Sequence, residues 1–296
     1  MEPQNNEKTG QPKTVTKSRW NNQTTRKDSC GSGEVSKHFM NDILQLILAT
    51  ITGATIWEGF KFFYPDIKQY FKTRTAAKKV FYDNLDPILK ASSELYGKIE
   101  SLAKEDFATF VNLKKSNSTD PVHNQKYILY LFAQFWAQLE YLRLQSQYID
   151  LSKIKEGNQL LRFIETIESR RHRILDRSMQ RIIGECLISN KDQKFRIMTL
   201  KDFLETLENE NNTLSKWIGE LEKKLLNVNY KEQRQVILRF GVIVAVLIDH
   251  FDPKHKTVRR REIYKHRLSP KSKQLLNKYL FGHYLKFIKN NAQYYQ

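Results

Sequence analysis

The chain has 296 residues, with 50 Lys and Arg against 32 Asp and Glu, for a formal charge of +18. Apolar residues make up 40% and aromatics 12%, which excludes wholesale disorder; 11 Gly and 7 Pro are too few for a loop-rich all-β, collagen-like or linker composition. Two cysteines, Cys30 and Cys186, exclude a disulfide scaffold, and neither belongs to a CxxC pair.

Residues 1–36 read as a disordered polar tail. They are rich in Asn, Gln, Thr, Lys and Ser, with almost no aliphatic side chains. Such a segment buries too little apolar surface to offset the entropy of ordering, and it lacks the apolar core of a secretory signal.

Residues 37–64 read as a transmembrane helix. From Ile43 to Trp57 there is no charge, and the run holds Leu46, Ile47, Leu48, Ile51, Ile56 and Trp57. Counted from Ile43 to Tyr64, a helix rising 1.5 Å per residue spans a hydrocarbon layer of about 30 Å. Trp57, Phe60, Phe62, Phe63 and Tyr64 form an interfacial aromatic belt, with Lys61 able to snorkel. Glu58 and Lys61 shorten the clean run, so a buried or interfacial amphipathic helix is the competing reading. Downstream lie Lys61, Lys68, Lys72, Arg74, Lys78 and Lys79, opposed by Asp66; upstream are Arg26, Lys27 and Lys37. That excess places the C-terminal side in the cytosol.

Residues 65–118 read as juxtamembrane helices and 119–296 as a helical bundle. Asp86-Pro87, Asp120-Pro121 and Ser269-Pro270 each look like an N-cap followed by Pro at the first helical position. Thr199 with Asp202 resembles a capping box. Between Lys126 and Leu151, the residues Leu129, Phe132, Phe135, Trp136, Leu139, Leu142 and Leu144 recur at helical spacing and make a wide apolar face. Val236–Phe251 is too short to span a bilayer and reads as a central core helix. No hairpin signal joins two alternating runs, so the class is all-α: an N-terminal transmembrane helix followed by a cytosolic multi-helix bundle.

Within that bundle, residues 199–226 read as a heptad helix. Its seam is Leu200, Leu204, Leu207, Asn211, Leu214, Ile218, Leu221 and Leu225. The seam serves either self-association or a helical hairpin inside the monomer. The hairpin is favoured because the run barely exceeds three heptads.

Three stretches carry a resemblance. They are Asn84–Ala91, then Tyr130–Glu140 continuing through Gln147–Leu151, and Gln180–Glu185. Together they resemble an uncharacterised group of bacterial single-pass membrane-anchored helical proteins, over residues 40–190. The chain departs from that group at Gln138–Leu144, where the group is more charged. The resemblance implies an anchor, a helical class and a place in the bacterial inner (cytoplasmic) membrane. It implies no activity.

Motifs for phosphate loops, dinucleotide binding, zincins, nucleophile elbows and kinases are absent from the sequence. Asp249-His250-Phe251-Asp252-Pro253-Lys254-His255 holds two His and two carboxylates, but in no metal-motif spacing and beside repelling lysines. It reads as a helix C-terminus with an Asp-Pro stop. Cys186 reads as a buried inert thiol, and Glu140 as a structural partner for Arg143. No enzyme, cofactor or metal is expected.

The basic segment 252–273 is the most informative polar feature. It carries Lys254, Lys256, Arg259, Arg260, Arg261, Lys265, Arg267, Lys271 and Lys273 against Asp252 and Glu262. A second basic stripe is expected along one helix at Arg170, Arg173, Arg177 and Arg181. Beside a membrane, such a face meets anionic lipid head groups; in solution it suits nucleic-acid phosphates; a merely solvated face is the plain alternative. The expectation is a membrane-anchored interaction or sensing module, an accessory part of a larger system with an unidentified protein partner. A soluble nucleic-acid-binding protein is the second choice.

Overall fold

The computed structural model describes residues 53–111, 119–191, 194–209 and 212–296. The chain divides into two units, Met1–Phe63 and Tyr64–Gln296. Residues 1–36, read as a polar tail, and most of the expected anchor, including Leu46, Ile47, Leu48 and Ile51, lie outside the described residues. Ile56 and Trp57 fall near the start of the first described helix, α1 (Gly53–Lys104). Among the described residues, no helix is long and apolar enough to cross a membrane.

The second unit is mostly helical, with one small hairpin. After α1 come α2 (Ala108–Val111), α3 (Thr119–Gln145), α4 (Lys155–Glu168) and α5 (Arg177–Cys186). Strands β1 (Ile188–Lys191) and β2 (Lys194–Ile197) pair antiparallel, with Ile188 opposite Ile197. Then follow α6 (Leu200–Glu208), α7 (Thr213–Leu226), α8 (Lys231–Phe251) and α9 (Pro270–Leu275), the last continued by a π-helical stretch, Leu276–Tyr284.

Helix α1 is amphipathic through its second half. Ala77, Phe81, Ile88, Leu95, Ile99 and Leu102 are buried and recur at three-, four- and seven-residue steps. Asp86-Pro87 was expected to start a helix, yet α1 runs straight through it. An interior proline forfeits one backbone bond, roughly 3 kcal/mol, but burial of the flanking Ile88, Leu89 and Ala91 outweighs that loss. Asp86 pairs instead with Lys90 at 2.6 Å. The helix stops at a turn with Asp106 and Phe107 at positive φ (49° and 60°). Arg234 clamps this turn, reaching the Asp106 carboxylate at 2.7 Å and its carbonyl at 3.2 Å.

Helix α3 is enclosed rather than one-faced. Besides the expected Leu129, Phe132, Phe135, Trp136, Leu139 and Leu142, the residues Ile128, Leu131, Ala133 and Ala137 are buried, whereas Leu144 is 45% exposed. Phe132 and Phe135 meet Phe240 of α8, with ring centroids 5.6 and 6.1 Å apart. Helix α8 is the expected core helix: Gly241 through Ile248 are all buried. Helix α5 crosses α3 closely at Gly184, where a Cβ would lie 2.8 Å from the Trp136 carbonyl.

The heptad segment is two helices, not one. Asn209 closes α6, and the Asn212 side chain caps α7 by accepting from Leu214 N–H at 2.9 Å. Asparagine competes for backbone hydrogen bonds, so an Asn-rich stretch breaks a helix that the leucine spacing alone would continue. Asn211 lies outside the described residues. Leu214, Ile218, Leu221 and Leu225 are buried in the core of the same chain, while Leu200, Leu204 and Leu207 pack against it half-buried. The hairpin Ile188–Ile197 is a second departure. Its strands are four residues each, too short to give an alternating pattern. The capping box at Thr199 and Asp202 and the Ser269 N-cap with Pro270 both form as read.

Candidate anion-binding surface

The basic segment is held rigidly in place after α8. Asp252 caps the helix, and its carboxylate accepts the backbone N–H groups of Lys256, Thr257 and Val258 at 2.8, 2.8 and 3.0 Å. Burial alone raises its pKa; those donors outweigh burial and hold it below the usual carboxylate range. Val258, Tyr264 and Leu268 plug into the core. Tyr264 donates its hydroxyl to the Leu238 carbonyl at 3.0 Å, directly over Gly241, where a Cβ would come within 2.0 Å of that oxygen. Tyr96 of α1 stacks on Tyr264 at 5.7 Å and donates to the Glu262 carbonyl at 2.7 Å. Gln235 brackets the segment's end, donating to the Arg267 carbonyl and accepting from Ser269 N–H.

Pinning the backbone turns the charged side chains outward. Lys254, Lys256, Arg259, Arg260, Arg261, Lys265 and Arg267 are all exposed. Two of them have internal partners. Arg261 lies 3.7 Å from Glu100, and Arg267 donates to the Lys104 carbonyl at 3.0 Å, capping the end of α1. The other five make no ion pair among the described residues.

A second basic surface lies on α1. Lys68, Lys72, Arg74, Lys78 and Lys79 are exposed along it, with Tyr64 one turn before Lys68 and Tyr70 and Phe71 between Lys68 and Lys72, at 53%, 51% and 59% exposure. Lys68 and Lys72 border a cleft of about 650 Å³ with Tyr148, Ile149, Asp150 and Lys153.

The expected stripe through Arg170–Arg181 does not form. Helix α5 begins only at Arg177, and Arg173 in the preceding turn pairs with Asp176. Arg177 and Arg181 turn inward to Glu168 at the end of α4, at 2.9 and 3.0 Å, and Arg143 of α3 reaches the same carboxylate. Arg143 also pairs with Glu140, as the sequence reading anticipated. Burial raises both carboxylates. For Glu168 the hydrogen bonds and charges of Arg181 and Arg143 outweigh burial and hold its pKa low, whereas for Glu140 burial prevails and its pKa stays raised.

The Asp249–His255 cluster does end a helix. It also forms a chain that the local sequence did not reveal: Tyr294 donates to Asp249 at 2.8 Å, and His255 Nε2 faces the same carboxylate at 3.4 Å. His250 is half-buried against Phe163, Phe251 and Phe287 and bonded to Gln159 at 3.1 Å; the partial burial lowers its pKa. Among the described residues, no three metal-ligating side chains converge. Cys186, read as buried, is only half-buried, and that burial raises its thiol pKa. The residue most easily overlooked was Arg239, the lone charge between Val236 and Ile248. A single cation inside an apolar helix was itself the available signal. Comparison with known protein families, characterised proteins and solved structures gives no match.

Proposed function

We propose that this chain is a membrane-associated helical interaction module that presents two basic surfaces to anionic lipid head groups. In this reading, the apolar segment Ile43–Tyr64 is a single-pass anchor in a bacterial cytoplasmic membrane, and the helical unit faces the cytosol. The observation that carries it is the exposed aromatic-basic run on α1. Tyr70 and Phe71 are exposed between Lys68 and Lys72, with Arg74, Lys78 and Lys79 following, just after the apolar segment. Aromatic rings with lysines are the side-chain set that settles at a lipid–water boundary. Each basic residue near an anionic surface contributes about 1 kcal/mol. The rigid segment 252–268 adds an exposed basic loop of the same sign.

Fractionation tests the reading in two steps. The unmodified chain is expected in the membrane pellet, resistant to high salt and carbonate. Leu48→Arg with Ile51→Arg costs about 2.5–3.5 kcal/mol per charge at mid-bilayer, and should convert it to a salt-releasable form. Adding Tyr70→Ser, Phe71→Ser and Lys72→Glu should then leave it in the supernatant at low salt. Recovery of the unmodified chain in the soluble fraction without detergent defeats the anchor. If duplex DNA removes the double-Arg form from anionic vesicles at lower concentration than lipid does, the nucleic-acid reading replaces this one.

A further inference from the structure

Arg239 sits in the wall of a cleft of about 380 Å³ lined also by Lys231, Glu232, Gln235, Ser269, Lys271 and Ser272. Its Nη1 donates to Ser272 Oγ at 3.1 Å, while its Nε is buried with no acceptor among the described residues. No carboxylate pairs with it among the described residues. Burial pulls its pKa down, and no neighbouring acid opposes that shift. Gln235 offers no relief, because its oxygen is taken by Ser269 N–H at 2.8 Å. Lys231 and Lys271 stand exposed at the rim, also without ion pairs among the described residues.

A half-buried guanidinium whose Nε is shut off from water, with no counter-charge among the described residues, destabilises the fold that holds it, and an apolar side chain of similar size would pack there at lower cost. A counter-ion supplied from outside removes the conflict. The lining carries three cations and the single carboxylate of Glu232, so it matches a dianion better than a monoanion. A planar guanidinium fork suits the oxygens of a phosphate, and lysines add point charges around it. The volume falls within the range of small-molecule sites, roughly 300–1,000 Å³.

We propose that this cleft is a phosphate-binding site, in which Arg239, held by Ser272, and the rim lysines Lys231 and Lys271 contact the phosphate oxygens. The phosphate belongs either to a lipid head group or to a soluble phosphorylated molecule. The site stands apart from the aromatic-basic surface of α1, and either reading survives failure of the other.

The test uses the full chain in neutral detergent micelles, melted in inorganic phosphate and in chloride at equal ionic strength. Phosphate should raise Tm saturably beyond chloride. Arg239→Gln should weaken that response at least about tenfold, the equivalent of roughly 1.4 kcal/mol. Lys271→Gln, at the exposed rim, should weaken it while leaving the phosphate-free Tm unchanged. Arg239→Met should raise the phosphate-free Tm and abolish the response, the behaviour of a charge that lacks its counter-ion. If phosphatidic acid in the micelles shifts the midpoint for inorganic phosphate upward, the natural source is a lipid head group; an unshifted midpoint assigns a soluble phosphate. A Tm that responds to phosphate no more than to chloride, or a response that survives in both Arg239→Gln and Lys271→Gln, overturns the site.

Discussion

Glu168 and His172 are four residues apart and both buried, at 6% and 1% exposure, and both lie near arginines, yet only one of them balances that charge. Glu168 is an acid ringed by Arg143, Arg177 and Arg181. His172 is a base whose ring nitrogens have no hydrogen-bond partner among the described residues, near Arg171 and Arg239. One turn of chain therefore holds a compensated cluster and an uncompensated one. Arginine count does not tell them apart; what differs is whether an acid arrives from elsewhere in the fold.

Breaking the compensated side gives the largest expected effect. Glu168→Gln leaves three arginines around a neutral amide and should destabilise the chain by about 4 kcal/mol in denaturant unfolding. A loss under 1 kcal/mol means the cluster is solvated rather than integral.

The uncompensated side is sharpened by pH. Burial first, then the charges of Arg239 and Arg171, lowers the His172 pKa from 6.5 to about 4. Its folded pKa lies below its unfolded one, so between those values the unfolded chain binds the extra proton and stability falls as pH falls. About 3 kcal/mol should be lost between pH 6.5 and 4. His172→Phe should flatten that slope, read as unfolding free energy across the pH range; an unchanged slope assigns the loss to other groups.

The smallest effect distinguishes members of the Glu168 cluster. The Arg177 side chain is 53% exposed, so Arg177→Ala should cost only about 0.5 kcal/mol. A cost near that of Glu168→Gln would show the three arginines acting as one unit.

The sequence made local features legible and left convergent ones hidden. The caps at Thr199 and Ser269 need only neighbours within three residues, and both form as read. The apolar run Gly241–Ile248 was visible as a core helix because burial on all sides leaves no polar positions. Asp86-Pro87 misled because its cap signal is local, whereas the packing of Ile88 and Leu95 against other helices decides the outcome. The leucine spacing across 200–225 hid a break because heptad phase says nothing about the caps at Asn209 and Asn212. Arg177 and Arg181 looked like a surface stripe because their acid lies at the end of the preceding helix, and its third partner, Arg143, is 25 residues before it. The basic segment's exposure was readable from its charge, but its rigidity depends on Tyr96, 166 residues from the carbonyl it holds.

That last separation bears on how the chain is made. Part of the apolar face of α1, with Phe81 against Phe251, Ile99 against Gly241 and Tyr96 on Tyr264, is covered by residues far later in the chain. Arg267 seals the end of α1 across 163 residues. At synthesis rates of about 5–20 residues per second, the first helix waits roughly 8–30 seconds for its partners to leave the ribosome. Through that interval its greasy side is a natural chaperone client, and closure of the late loop over it is expected to be the slow step of folding.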